Sequence, residues 1–299
     1  MNTNAIVRRA WKTGTVVPGF NIPYLPMMEP VVRALRDTDS FGLIMVARLE
    51  WLKFQSGSLA AVRAEFERVG DARCTRLHLD HVPVVDEDNL RVDYEPIFRE
   101  ALARGYDSVM VDASRLPCAE NLEATRRVVA LAHAAGVAVE AELGAILGHE
   151  AGPLPPYDEW FASGRGFTDS DEAARFVRES GVDWLSVAIG NVHGAIAAAT
   201  RTQKKIAARL NLEHLRKLRA QTDVPLVLHG GTGIPRDQVQ AAIAGGIAKV
   251  NVATAIRQPY EQHVQTSVAR AQESVYETTR MIVSEELGIA GSAGRLLAE

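Results

Sequence analysis

Cysteine is scarce in this 299-residue sequence, which contains only Cys74 and Cys118, far apart and without a CxxC motif. A disulfide framework and a cysteine-based zinc cluster are therefore not expected. Long apolar runs are also missing, because the longest runs are of strand length, and neither end resembles a signal sequence or a lipid anchor. These absences predict a soluble, cytoplasmic protein with no membrane partner.

Excess charge of one sign is lacking as well, since the formal net charge is -4. Such a balance gives no general attraction to nucleic acid, so no nucleic-acid partner is predicted, and any recognition of phosphate must be local. Hydrophobic residues make up 47% of the chain and charged residues 23%, which allows a large buried core. No linker or change of composition divides the sequence, so we predict one domain over residues 1–299.

The sequence does contain a repeated alternation of short apolar runs and amphipathic stretches. Each run is rich in β-branched residues and short enough for a buried parallel strand. The eight runs cover residues 16–22, 41–47, 75–80, 107–112, 137–143, 183–189, 224–230 and 248–253. Helical patterns lie between them, among them Glu120 to Ala135 and Ser170 to Ser180. This alternation predicts the α/β class and a closed (β/α)8 TIM barrel rather than an open doubly wound sheet.

Two further segments stand out from the alternation. Residues 148–167 are rich in glycine and proline and too long for an ordinary connection, which predicts an irregular functional loop over the mouth of the barrel. The long stretch from Gln258 to Leu287 predicts an extended C-terminal helical segment, with the last barrel helix and an extra helix for packing or oligomer contact.

Histidines follow three of the eight runs, at the strand ends where the chemistry of a TIM barrel takes place. They are His81, His193 and His229. One such histidine alone is more typical of a hydrogen-bonded core residue. Three neutral imidazoles with an open fourth position, however, are the usual ligand set of a catalytic Zn²⁺, and nearby carboxylates can orient them or hold a second cation. The pattern therefore predicts a metal site.

Glycine turns beside these histidines indicate a second kind of ligand. Gly194 follows His193, the sequence GGTG (230–233) follows His229, and NVAT (251–254) ends the eighth run. A single glycine pair could be only a tight turn. Two such segments after the seventh and eighth strands favour a phosphate site built from backbone N–H groups and hydroxyls. A metal beside a phosphate indicates a phosphorylated carbonyl substrate.

Taken together, these motifs resemble the class II, metal-dependent fructose-bisphosphate and tagatose-bisphosphate aldolases. The segments that carry the resemblance are LHLDH, SVMVDASRLPCAENLEATRRVV, VEAELG, VAIGNVHG, LHGGTGIP, KVNVAT and the terminal GSAGR, in family order from about Gly19 to Arg295. The resemblance implies a Zn²⁺-dependent carbon–carbon lyase that reversibly cleaves a ketose phosphate to dihydroxyacetone phosphate and an aldehyde. It also implies a homodimer or homotetramer.

The resemblance further implies a role for each matching residue. Asp80 matches the aspartate that exchanges a proton with a substrate hydroxyl, and Glu150 matches a loop glutamate that moves the proton at the ketose carbon. The matching metal residues are His81, His193 and His229 for zinc, with Asp112 and Glu142 for a second or alternative divalent position. The second cation could also be monovalent. The matching substrate- or phosphate-binding residues are Asn21, Gly194, Gly230, Gly231, Thr232, Asn251, Ala253 and Thr254.

Several alternatives stay open at this point. Asp80 could instead orient His81, and Glu142 could hold a histidine rather than a metal. Lys249 is the obvious lysine for a rival Schiff-base mechanism, but on the eighth strand, beside a phosphate turn, it is more consistent with a phosphate or carboxylate partner. The competing functions are a non-catalytic sugar-phosphate-binding or chaperone-like subunit of a tagatose-type aldolase, and a metal-dependent barrel hydrolase or isomerase.

Four departures from the family pattern leave the sugar open. Val82 follows HLDH where glycine is usual, Ala255 follows NVAT where an acidic residue is usual, and AILGHEAG replaces the usual glycines and paired acids around Glu150. The usual aromatic and basic residues after NVHG are also missing. Positive charge for phosphate would then have to come from Arg201, Lys204 or Lys205.

Overall fold

Eight parallel strands close into one barrel in the computed structural model, which describes residues 1–146, 156–193 and 208–298. Each strand is hydrogen-bonded to its neighbours in chain order, and the last strand pairs with the first. The strands are β1 (Val17–Asn21), β2 (Gly42–Ala47), β3 (Thr75–Pro83), β4 (Ser108–Asp112), β5 (Ala138–Leu143), β6 (Trp184–Val187), β7 (Leu226–Leu228) and β8 (Ile247–Val252). The predicted (β/α)8 TIM barrel is therefore confirmed.

Helices cover the outside of the barrel, which is why six of the strands are buried at every residue. The helices are α1 (Thr3–Thr13), α2 (Met28–Asp37), α3 (Arg48–Lys53), α4 (Leu59–Val69), α5 (Glu95–Ala103), α6 (Cys118–Ala134), α7 (Tyr157–Ser163), α8 (Ser170–Ser180), α9 (Leu212–Gln221), α10 (Arg236–Ala244), α11 (Thr254–His263), α12 (Val268–Met281) and α13 (Ser292–Leu297). Helix α8 has the predicted bounds, and α6 includes nearly all of the predicted stretch from residue 120 to 135. None of the helices in the described ranges is long and apolar enough to cross a membrane.

Apolar side chains close the end of the barrel where the strands begin. Ile6 and Val7 of α1 and Leu296 of α13 form one buried cluster with residues of the strand starts, including Val17 and Trp184. Because this end is filled with hydrocarbon, polar side chains are left to gather at the opposite end, where the strands finish.

The predicted loop over residues 148–167 is only partly irregular. Residues 147–155 lie outside the described part of the chain, but helix α7 occupies the middle of the remainder, so the prediction is wrong there. The helix forms because Pro156 precedes it, Asp158 and Glu159 lie in its first turn, and Trp160 buries its ring against Phe167. A role as a functional loop stays a prediction.

The C-terminal segment packs on the protein's own barrel helices. Helix α11 follows β8, α12 continues into a wide turn at Ile282–Glu286, and α12 lies against α2. At this contact Arg33 stacks 4.0 Å from the centre of the Tyr276 ring and pairs with Glu273 at 2.7 Å. The predicted packing role is thus confirmed, whereas an oligomer contact stays a prediction.

Candidate active site

The end of β3 places two adjacent side chains on the same side of the strand. Successive residues of a strand normally point to opposite faces, so Asp80 and His81 would be separated in a regular β3. The pairing of β3 with β4 shifts between Leu79 and Val82, and His81 has a positive φ of 33°. This bulge turns both Asp80 and His81 toward the mouth of the barrel, where both line the main cavity.

The three predicted histidines meet at this mouth. Their ring centres lie 4.6 Å apart for His81 and His229, 5.2 Å for His81 and His193, and 5.7 Å for His193 and His229. One nitrogen of each ring and one oxygen of Glu142 all lie within 4.8 Å of one another. These four groups are close enough to bind one small ion together.

Carboxylates hold two of the rings in place. The Nδ1 atom of His81 lies 3.0 Å from Asp112 Oδ2, and His229 Nε2 lies 2.8 Å from Glu140 Oε1. The other ring nitrogen of His229, Nδ1, faces Glu142 Oε2 at 3.0 Å. A carboxylate on one nitrogen is the usual partner of a metal-binding histidine, because it fixes the tautomer and turns the other nitrogen to the metal. Asp112 therefore orients His81, and its predicted place at a second cation stays a prediction.

The charge around the rings fits a divalent ion. Four carboxyl groups surround the site, and the buried Lys249 pairs with one of them, Glu140, at 2.9 Å. Burial lowers the pKa of His81, but Asp80 and Asp112 outweigh this and raise it to about 10. Without a metal, His81 therefore carries a proton, and this proton supplies the positive charge that a bound cation would otherwise supply. Imidazole nitrogens and carboxylate oxygens are also the ligands that Zn²⁺ takes in proteins.

Asp80 is fixed by amides rather than by the histidines. Asn21 Nδ2 donates to Asp80 Oδ2 at 2.9 Å, and Asn251 Nδ2 donates to Asp80 Oδ1 at 3.1 Å. Lys249 in turn donates to Asn251 at 2.6 Å. Burial raises the pKa of Asp80, but the positive charges of His81 and Lys249 outweigh it, so the pKa falls below the usual range. Asp80 is therefore an ionised, oriented carboxylate on the cavity wall.

The glycine turn after β7 is tightly packed. Gly230 has a φ of 65°, and a Cβ there would collide with the carbonyl oxygen of Val192. A Cβ on Gly231 would lie 2.7 Å from Val250 Cγ1. Close packing alone thus explains both glycines, and their binding of phosphate stays a prediction. The predicted substrate residues that line the cavity are Asn21, Gly230, Thr232, Asn251, Ala253 and Thr254.

Some predicted residues lie outside the described part of the chain. They are Glu150, Gly194 and the three basic residues Arg201, Lys204 and Lys205. Lys249 meets the carboxylate of Glu140, as the sequence pattern favoured.

The cavity of about 700 Å³ also has lining residues that the sequence patterns did not single out, among them Glu50, Phe54 and Arg257. Glu50 and Arg257 are both 5% exposed, and the guanidinium of Arg257 pairs with Glu261 at 2.7 Å. A signal was present, because Glu50 follows the end of β2 and Arg257 lies one helical turn after Thr254.

A parallel barrel whose open end gathers histidines, carboxylates and a deep cavity is the arrangement of a metal-dependent barrel enzyme. The chain belongs to the class II fructose-bisphosphate aldolase family, whose model matches residues 1–295. It is a class II aldolase and therefore a carbon–carbon lyase of a metal-dependent family that acts on sugar phosphates.

Individual relatives and solved structures are similar to this chain. The chain is 36% identical over 258 residues to a fructose-bisphosphate aldolase of Streptococcus pneumoniae serotype 4, a match that covers 85% of this chain and 78% of the relative. The crystal structure of the YdjI aldolase of Escherichia coli K12 superposes with a TM-score of 0.75 at 25% identity, over 98% of this chain and 99% of YdjI. A fructose-bisphosphate aldolase of Campylobacter jejuni shares the fold, with a TM-score of 0.72 at 19% identity over 96% and 95% of the two chains.

Proposed function

We propose that this aldolase uses Zn²⁺ to cleave a ketose phosphate into dihydroxyacetone phosphate and an aldehyde, and to catalyse the reverse condensation. The observation that carries the proposal is the meeting of His81, His193 and His229 beside an ionised Asp80 on one cavity. Three histidines are a usual ligand set for catalytic zinc. When bound, the ion would stabilise the negative charge that develops on the oxygens of the substrate.

Asp80 is the proposed acid–base group. Its carboxylate is ionised, lies on the cavity wall, and is held by Asn21 and Asn251. It is therefore placed to accept the proton of a substrate hydroxyl as the carbon–carbon bond breaks, and to return that proton in condensation. Because Asp112 already orients His81, the alternative role of Asp80 as the orienting group is not needed.

The turns after β7 and β8 are the proposed site for the substrate phosphate. Gly230, Gly231 and Thr232 supply backbone and hydroxyl donors on one side, and Asn251, Ala253 and Thr254 on the other. The family resemblance leads us to propose also that Glu150 moves a substrate proton and that Gly194 binds phosphate. From the same resemblance we propose a cytoplasmic protein of one domain that forms a homodimer or homotetramer.

The test compares two histidine variants of the purified enzyme. His229→Ala removes a proposed ligand, whereas His133→Ala is the control, because His133 lies exposed on α6 and pairs with Asp183. Triose phosphate released from a panel of ketose phosphates is followed with a coupled dehydrogenase, and bound zinc is measured by mass spectrometry.

We expect His229→Ala to lose bound zinc and at least ~1,000-fold in kcat/KM, because a ligand and its charge stabilisation are lost together, while His133→Ala behaves as the wild type. Chelator should abolish activity and Zn²⁺ should restore it. Full activity in chelator, together with inactivation by borohydride in the presence of substrate, would show a Schiff-base enzyme instead. Binding of sugar phosphate without turnover of any substrate would indicate a non-catalytic subunit.

A further inference from the structure

Glu50 is a buried carboxyl group on the wall of the active-site cavity. It lies in the first turn of α3, directly after β2, and its side chain turns back so that the N–H of Ala47 donates to Glu50 Oε2 at 2.7 Å. This bond uses one oxygen of the carboxyl group. The side chain lines the cavity together with Asp80 and Asn21.

Closing the turn before α3 does not require a buried acid. Helices α4, α8 and α12 begin with a Ser or Asp side chain that accepts a backbone N–H near the surface. Burying a carboxyl group costs free energy unless it gains further partners. Glu50 nevertheless lies on the cavity wall, where its carboxyl group can meet a group that enters the cavity.

Glu50 is linked to the proposed acid–base group. Asn21 donates to Asp80 at 2.9 Å and also hydrogen-bonds the carboxyl group of Glu50. Glu50 thus lies on the same side of the cavity as Asp80, near the ends of β1, β2 and β3. The glycine turn follows β7, which neighbours none of these three strands in the barrel.

The surroundings of Glu50 select a particular substrate group. Its neighbours on this wall include the apolar residues Pro23, Leu49 and Phe54. A carboxyl group can hydrogen-bond a substrate hydroxyl whether it is ionised or protonated. Burial, with a smaller contribution from the charge of Asp80, raises the pKa of Glu50 to about 8, so the group is mostly neutral at pH 7 and repels the nearby Asp80 less.

We propose that Glu50 is a specificity residue that hydrogen-bonds a hydroxyl on the aldehyde-derived half of the substrate. The enzyme would then favour hydroxylated aldehydes over their deoxy counterparts. This inference rests on the proposed function, since it is the position of Asp80 that assigns this side of the cavity to the aldehyde.

The test measures the ratio of kcat/KM for two aldehydes that differ by one hydroxyl, glycolaldehyde and acetaldehyde, each condensed with dihydroxyacetone phosphate. Glu50→Met keeps the length of the side chain but removes its hydrogen bonds, and Glu50→Gln keeps an acceptor and is uncharged like the protonated acid. Asp169→Ala is the control for loss of a helix cap, because Asp169 caps α8 away from the cavity lining.

We expect the wild type to favour glycolaldehyde by about tenfold or more, which is the usual effect of one hydrogen bond to a substrate hydroxyl. The ratio should fall to about twofold or less in Glu50→Met, stay within about threefold of the wild type in Glu50→Gln, and be unchanged in Asp169→Ala. If Glu50→Met does not fold, Glu50→Asp, which shortens the reach, should lower the ratio in the same way.

A purely structural Glu50 would change the rates with both aldehydes by the same factor and leave the ratio intact. That result, or a wild type without preference, would overturn the inference while leaving the aldolase function in place. A wild type that condenses no aldehyde with dihydroxyacetone phosphate would instead overturn the proposed function.

Discussion

Replacing Lys249 with methionine tests the charge balance beneath the metal site. Lys249 is fully buried, and its Nζ atom lies 2.9 Å from Glu140 Oε2. At an effective dielectric constant of about 20, this attraction is about 6 kcal/mol. Part of it offsets the cost of burying the two charges, so Lys249→Met should lower the free energy of unfolding by about 3–5 kcal/mol, as loss of one partner from a buried ion pair usually does.

The assay is thermal unfolding of the metal-free protein at constant pH, in a double-mutant cycle. We expect Lys249→Met to lower Tm by about 5–10 °C, and Glu140→Gln added to it to restore part of the loss, because the unpaired carboxylate is then removed. A loss of less than about 1 kcal/mol, or equal Tm values for the single and the double variant, would show that the pair does not stabilise this barrel.

Three further predictions test other parts of the structure. Arg257 is the only Lys or Arg among the described residues that line this cavity. Arg257→Gln should therefore raise KM for dihydroxyacetone phosphate about tenfold in steady-state assays, and an unchanged KM would contradict a role of Arg257 in binding the phosphate. Gly230→Ala should lower Tm more than Gly136→Ala, because both have a positive φ but only Gly230 has backbone in the space that a Cβ needs; equal losses would show that the collision is relieved. Burial raises the pKa of both Cys74 and Cys118 to about 11. At pH 8 iodoacetamide should therefore modify the folded protein more than about tenfold slower than the unfolded chain, as measured by mass spectrometry. Similar rates would contradict the raised pKa.

The strands and their order could be predicted because local composition decides them. Each strand lies within its predicted run or extends it by no more than three residues. Runs of β-branched residues form parallel strands when both faces of the strands are buried, and this pattern is visible without the structure. The meeting of three histidines could also be predicted, because the ends of parallel strands converge at one end of a barrel.

The bulge at His81 and the place of Glu50 could not be predicted in this way. A regular β3 would separate Asp80 from His81, and the shift that unites them depends on pairing with β4, about thirty residues further along the chain. An acid in the first turn of a helix is ordinarily explained by the helix dipole. Only the pairing of β1 with β2 brings Glu50 beside Asn21 and turns a common pattern into part of the cavity.

The metal-free protein should lose stability as the pH rises from 6 to 9. In the folded protein burial lowers the pKa of His81, but Asp80 and Asp112 outweigh this effect and raise the pKa to about 10. Stabilisation from its proton is therefore complete below the unfolded pKa of about 6.5 and is lost as the pH approaches 10.

Glu50 acts in the same direction. Burial raises the pKa of Glu50 to about 8 in the folded protein, so as the pH rises the unfolded chain releases this proton before the folded protein does. The free energy of unfolding therefore falls between the ordinary pKa of a glutamate and pH 8. We expect Tm of the chelated protein to fall over this range, and to fall less in Glu50→Gln, which has no proton to release. Zn²⁺ should weaken the remaining dependence, because a bound ion takes the place of the His81 proton. A Tm of the chelated protein that stays constant or rises from pH 6 to 9 would refute the assignment of these two protons.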